Sequence, residues 1–137
     1  MPRGDEKLEL IRSAPLFSHC DRRELEEIAG AADLIDVPAG MTVVTQGQQT
    51  NEFVVIARGA CEVTRDGVQA ATLGRGDFFG EIALVTGAPR TATVTATEPS
   101  TLLVLTDRAF ERVVEDIPSI ATSVLRVLGE RLYPESV

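Results

Sequence analysis

Apolar side chains recur at helical spacing near both ends of the chain, and in short alternating runs between them. Residues 5–32 carry the first helical pattern, which Pro15 interrupts, so the spacing predicts two short amphipathic helices. Residues 107–132 carry the second pattern, in which Pro118 lies near the first turn of a new helix. We therefore predict helices at both ends of the chain.

Residues 34–105 have the pattern of a β domain. Short runs rich in β-branched side chains are separated by glycines, as in antiparallel sandwiches and barrels. Asp66-Gly67 between two alternating runs predicts a tight hairpin, and residues 91–97 alternate between threonine and small apolar side chains. The chain is thus predicted to form a single domain, residues 1–137, that is mainly β with flanking α-helices.

Length and charge narrow the classes of partner. The 137 residues include 21 acidic and 13 basic side chains, which gives a formal net charge of −8. This length supports one domain with its own core, and the acidic surplus argues against nucleic acid or an anionic membrane as a partner. No stretch approaches the roughly 18 apolar residues of a membrane span, and the charged N-terminus is unlike a secretion signal. We expect a cytoplasmic protein in which Cys20 and Cys61 are free thiols.

The sequence lacks the residues that several kinds of catalytic site need. His19 is the only histidine, so neither a histidine-rich metal site nor a Ser-His-Asp triad can be assembled from the sequence. Lys7 is the only lysine and is far from any glycine-rich loop, which excludes a P-loop. Gly74, Gly76 and Gly80 miss the spacing of a dinucleotide fingerprint by one residue. We predict that the domain is not an enzyme and carries neither a metal nor a cofactor.

Residues 76–94, called the cassette below, contain the most informative pattern. A short helical turn is predicted to begin at Gly80, and the first amides of such a turn can bind an anion. Arg90 has no acidic neighbours in the sequence, and a guanidinium beside free amides suits one phosphate. Glu81 fits beside an anion if it accepts hydrogen bonds from neutral hydroxyls, such as those of a ribose. The alternative is an ordinary ion pair between Glu81 and Arg90 that holds the turn to the next strand.

The cassette resembles the phosphate-binding cassette of the cyclic nucleotide-binding domain family. It carries Phe-Gly-Glu-hydrophobic-Ala-Leu at residues 79–84 and Pro-Arg-Thr-Ala at residues 89–92. The similarity extends over most of the chain, residues 16–132. It implies an antiparallel, eight-stranded, jelly-roll-like β-roll with a short cassette helix at residues 80–85, N-terminal helices and C-terminal lid helices.

By this resemblance the chain would bind a cyclic nucleotide, cAMP or cGMP. Gly80 and Glu81 would hold the ribose 2′-hydroxyl, and the cyclic phosphate would be held by the side chain of Arg90 and by backbone amides at Ile82, Ala83 and Thr91. The last helix of the family folds over the base, and its position gives four candidates for capping the base: Leu125, Leu128, Leu132 and Tyr133.

The function implied is that of a sensor, in which capture of the phosphate moves the C-terminal helices. Thr91 after the arginine is similar to cGMP-preferring members, but threonine also occurs among bacterial cAMP binders. The scarcity of lysine is typical of high-GC bacterial genomes and favours cAMP. The resemblance implies an effector protein or effector domain but does not identify it. The sequence leaves open whether the chain forms a homodimer.

Two alternatives to the sensor function remain. A ligand-free domain that serves as a protein interaction module is disfavoured because Glu81 and Arg90 are both intact. A phosphodiesterase is disfavoured because the sequence offers no cluster of metal ligands.

Overall fold

The structure is a computed structural model that describes residues 3–81 and 86–132. In these ranges the chain forms N-terminal helices, eight β-strands and C-terminal helices. The helices are α1 (Arg3–Ser13), a 3₁₀ turn (Pro15–Phe17), α2 (Arg22–Ala31), α3 (Asp107–Asp116) and α4 (Pro118–Leu132). The strands are β1 (Asp33–Val37), β2 (Thr42–Val44), β3 (Glu52–Arg58), β4 (Ala60–Arg65), β5 (Val68–Gly74), β6 (Phe78–Phe79), β7 (Thr93–Ala96) and β8 (Ser100–Thr106).

The strands pair into two four-stranded antiparallel sheets. The first sheet has the order β1-β8-β3-β6 and the second has the order β2-β7-β4-β5. Arg65 pairs with Val68 across the β4–β5 hairpin, and the turn residues Asp66 and Gly67 have φ angles of 55° and 79°. Positive φ at both central residues is what the right-handed twist of a two-residue hairpin requires. The predicted hairpin and the predicted eight-stranded β-roll are both confirmed.

Strand β3 is buried on both faces. Its alternate side chains belong to two different cores, because successive residues of a strand point to opposite sides. Phe53 and Val55 pack with the helices on one side of the first sheet, and Val54 and Ile56 pack against the second sheet. The unbroken apolar run in the sequence follows from this double burial.

The helices begin where short polar side chains cap them. Asp21 and Glu24 form a capping box at the start of α2, with both hydrogen bonds at 2.9 Å. Thr106 caps α3 by accepting a hydrogen bond of 3.2 Å from the amide of Ala109. The ring centroid of Phe110 then lies 4.5 Å from that of Phe53, which joins α3 to the first sheet.

Within residues 3–81 and 86–132, the side chains that could bind a metal ion do not cluster. No group of three or more His, Cys, Asp or Glu side chains there could hold a metal ion. None of the helices described combines the length and the apolar character that a bilayer crossing needs. Cys20 and Cys61 are free thiols, and burial raises the pKa of each, which lowers their reactivity at neutral pH.

Candidate functional site

A cavity of about 660 Å³ lies against the second sheet, within the size range of small-molecule sites. Its apolar wall comes from β2, β4, β5 and β7. Residues 78–81 and 89–92 of the cassette and two residues of helix α4 supply the remaining wall, and the polar side chains come from these segments and from the end of β4. The wall includes Arg65, Gly80, Glu81, Arg90, Thr91, Leu128 and Arg131.

Arg90 is held in the cavity wall by two contacts from the chain before β3 and at its start. Its side chain is buried, with the residue 6% exposed. Its Nε donates to the hydroxyl of Thr50 at 2.7 Å, and its Nη2 donates to the carbonyl of Glu52 at 2.8 Å. Among the described residues, Nη1 has no hydrogen-bond partner. The guanidinium is therefore fixed in position with one donor group still available.

Burial lowers the pKa of the Arg90 guanidinium, and the nearby carboxylates of Glu52 and Glu81 raise it again in part. An arginine side chain stays protonated in proteins despite such a shift. The cavity wall therefore carries a permanent positive charge, which water screens weakly because the side chain is buried.

Gly80 brings its backbone directly against Arg90. Its φ of +104° belongs to the left-handed region that favours glycine. A Cβ at this position would lie 2.3 Å from the carbonyl oxygen of Glu52 and 2.9 Å from Nη1 of Arg90. Because the backbone carbonyl of Glu52 leaves no room for a Cβ, only glycine allows the cassette to approach the guanidinium this closely.

Glu81 is a buried carboxylate, 4% exposed, that uses one of its two oxygens. Its Oε1 accepts a hydrogen bond of 2.9 Å from Nη1 of Arg131. Its Oε2 is buried and has no hydrogen-bond partner in the part of the chain that the structure describes. A buried carboxylate oxygen without a partner is costly, so it marks a place where a donor from a ligand would be favourable. The alternative ion pair between Glu81 and Arg90 is not formed, because Arg131 takes the carboxylate instead.

Arg131 is a site residue that the sequence reasoning missed. Its Nη2 donates to the carbonyl of Phe78 at 2.7 Å, and its guanidinium carbon lies 4.9 Å from the centroid of the Phe78 ring. It therefore ties α4 to two points of the cassette, β6 and Glu81. The available signal was its place three residues after Leu128, since residues at that spacing are neighbours on a helix surface.

The predicted base-capping residues and Thr91 differ in whether they line the cavity. Leu128 is half-buried and lies in the cavity wall, whereas Leu125 is 68% exposed and does not contribute to it. Thr91 is exposed and lies in the wall. The amides proposed at Ile82 and Ala83, the side chain of Leu132 and the whole of Tyr133 lie outside what the structure describes.

Comparisons with known proteins give the cavity a family context. A family model for the cyclic nucleotide-binding domain matches residues 34–116. The cAMP-dependent protein kinase regulatory subunit of Mycosarcoma maydis is 36% identical over 119 residues, 80% of this chain and 23% of that protein. A cyclic nucleotide-gated potassium channel of Rhizobium etli is 33% identical over 123 residues, 90% of this chain and 34% of that protein.

Solved structures agree on the fold. The regulatory domain of Toxoplasma gondii PKA, crystallised with cAMP, superposes with a TM-score of 0.82 at 22% identity, covering 93% of this chain and 50% of that chain. The chain spans between 23% and 38% of the lengths of five curated relatives that it matches. The family match covers more than half of the chain and includes both halves of the cassette. The chain therefore belongs to the cyclic nucleotide-binding domain family.

Proposed function

We propose that the cavity binds a cyclic nucleotide, cAMP in preference to cGMP, and that binding is transmitted to the C-terminal helices. One observation carries the proposal. The wall of a single cavity presents both an acceptor, Oε2 of Glu81, and a donor, Nη1 of Arg90, that no described residue uses. A cyclic nucleotide carries the complementary pair, a ribose hydroxyl that donates and a phosphate that accepts.

The cyclic phosphate binds at Arg90 in this proposal. A charged donor that is already fixed by Thr50 and Glu52 loses little freedom when it binds an anion. The amides of Ile82, Ala83 and Thr91 supply further donors to the same phosphate, as the family resemblance implies.

The ribose 2′-hydroxyl donates to Oε2 of Glu81. A carboxylate close to a phosphate would ordinarily weaken anion binding, because the two negative charges repel each other. Here the ion pair with Arg131 offsets the charge of Glu81 and also fixes the orientation of the carboxylate. The hydroxyl therefore meets an acceptor that is oriented in advance.

The base lies against the apolar part of the wall and under Leu128 of α4. The choice between the two bases involves Thr91, whose hydroxyl can serve a guanine amino group. Because Thr91 is exposed and threonine also occurs among cAMP binders, we keep cAMP as the preferred ligand.

The curated relatives named above are a kinase regulatory subunit and a ligand-gated channel, so we propose a regulatory and non-catalytic role for this chain. Arg131 would transmit the signal, since it joins α4 to the carboxylate that the ribose contacts. A ligand shifts the position of α4 only as far as it binds one arrangement better than the other.

Thermal unfolding in the presence of cAMP, cGMP and 5′-AMP tests the proposed function. A ligand at about 100-fold over its dissociation constant adds about 2.7 kcal/mol of stability. For a domain of this size this raises the Tm by roughly 8 °C. We expect the largest shift with cAMP, a smaller one with cGMP and the smallest with 5′-AMP.

The outcomes of this experiment separate the alternatives. An unchanged Tm with both cyclic nucleotides would contradict the sensor function and favour the alternative, a ligand-free protein interaction module. Recovery of hydrolysed nucleotide after incubation would instead identify a phosphodiesterase, so the nucleotide is analysed at the end of each run.

Replacing Arg131 with glutamine tests the transmission to α4. The change removes the ion pair to Glu81, and glutamine is too short to reach the Phe78 carbonyl from the same position. We expect amide hydrogen exchange in the last turn of α4 to be about five- to tenfold faster without ligand, the equivalent of about 1 kcal/mol. Arg126→Gln is the matched control, because Arg126 is an exposed arginine of the same helix outside the cavity wall. Equal exchange in both variants would contradict the transmission.

A further inference from the structure

Arg65 is a second arginine near Arg90 that the proposed ligand contacts leave unused. It is the last residue of β4, and its Nε donates a hydrogen bond of 3.1 Å to the backbone carbonyl of Thr91. Its side chain forms part of the cavity wall. Within residues 3–81 and 86–132, neither of its Nη groups has a hydrogen bond or an ion pair. Two donor groups of this guanidinium are therefore available beside the residue that follows Arg90.

The cavity also carries more positive charge than one phosphate and Glu81 require. Among the described residues, three arginines and one carboxylate line it, a formal charge of +2 in a chain whose net charge is −8. Arg131 offsets Glu81, and Arg90 offsets the single charge of a cyclic phosphate. The charge of Arg65 is left over. A local positive surplus of this kind raises the concentration of anions at a cavity in an otherwise acidic protein.

We propose that Arg65 is a positioning and specificity residue of the phosphate site. It fixes the backbone at Thr91, next to Arg90, through its Nε, and its free Nη groups and its charge are available to the ligand phosphate at the cavity wall. The class of ligand that it favours is a phosphorylated nucleoside over an uncharged one. The inference rests on the proposed function, because it assigns a second arginine to the same phosphate.

Binding of cAMP to an Arg65→Gln variant tests this role by isothermal titration calorimetry. We expect the dissociation constant to rise about tenfold in about 50 mM salt and less than about threefold in about 500 mM salt, since Arg65 is exposed and its charge is screened by ions. Adenosine, which lacks the phosphate, is expected to bind wild type and variant equally. Arg65→Lys keeps the charge without the forked donor, so it is expected to recover the salt dependence and only part of the affinity.

Arg112→Gln is the matched control for net charge. Arg112 is exposed on α3 and is not part of the cavity wall, so its removal changes the charge of the chain by the same amount. We expect this control to bind cAMP within about twofold of wild type, because salt screens an exposed charge that lies outside the cavity wall.

The outcomes separate this inference from the proposed function. If wild type binds cAMP and Arg65→Gln binds it equally well, or weakens adenosine to the same extent, the role of Arg65 is contradicted and the proposed function stands. If wild type binds neither cAMP nor cGMP, the proposed function fails and the role of Arg65 fails with it. If Arg65→Gln does not fold, the affinity of Arg65→Lys for cAMP is compared with that of wild type. A weaker affinity supports the role of Arg65, and an equal affinity contradicts it.

Discussion

Replacing Arg90 with glutamine is expected to lower the affinity for cAMP by at least about 100-fold, the equivalent of about 2.7 kcal/mol. The loss combines the charge that faces the phosphate with the hydrogen bond that Nη1 would donate. Glutamine also cannot bridge Thr50 and Glu52 as the guanidinium does. Calorimetric titration with cAMP measures the change. Arg90→Lys, which keeps the charge without the fork, is expected to fall between the variant and wild type.

The controls distinguish a lost contact from a lost fold. Urea unfolding of the apo protein reports whether Arg90→Gln still forms the domain, and Arg112→Gln corrects for net charge. An apo variant that unfolds cooperatively and binds cAMP as tightly as wild type would remove Arg90 from the site. If Arg90→Gln fails to fold, the affinity of Arg90→Lys for cAMP is compared with that of wild type instead. An affinity equal to that of wild type would contradict the forked contact between Arg90 and the phosphate.

Replacing Glu81 with alanine is expected to abolish the preference of the protein for a ribose 2′-hydroxyl. In wild type, 2′-deoxy-cAMP is expected to bind about 10- to 100-fold more weakly than cAMP, since a hydrogen bond to a charged group contributes about 1.5–3 kcal/mol. In Glu81→Ala the two ligands are expected to bind equally, because the acceptor Oε2 is gone. The ratio of the two dissociation constants is measured for each protein.

The ratio is informative because Glu81→Ala also frees Arg131 from its ion pair. Any loosening of α4 weakens both ligands alike and cancels in the ratio, as in a double-mutant cycle. If wild type binds the two ligands equally, the ribose 2′-hydroxyl does not contact Glu81. A Glu81→Ala variant that keeps the full preference would show that another group accepts it.

The regular parts of this fold could be predicted from the sequence because their causes are local. The hairpin at Asp66-Gly67 depends on two residues that tolerate positive φ, and the capping box at Asp21 depends on a partner three residues away. The helical spacing at both ends of the chain is likewise local. In the cassette, Gly80, Glu81 and Arg90 stand out within a short stretch, and the structure places all three in one cavity wall.

The supports of the site could not be predicted because they come from distant parts of the chain. Arg90 meets Thr50 across 40 positions, and Glu81 meets Arg131 across 50. A backbone carbonyl such as that of Glu52 carries no sequence signal at all. The apolar candidates on α4 were chosen by helical period, which identifies a face but not which residue on it reaches the cavity, and Leu125 lies in solvent.

The double burial of β3 has a thermodynamic consequence for the whole domain. Its odd and even side chains pack into the helical layer and the intersheet layer respectively, so loss of either layer would leave a row of apolar side chains in water. The two layers therefore form one cooperative unit rather than two that melt separately. The same strand supplies the Glu52 carbonyl that holds Arg90. Free energy gained by a ligand at Arg90 thus also stabilises α1, α2 and α3, which pack on β3 outside the cavity wall.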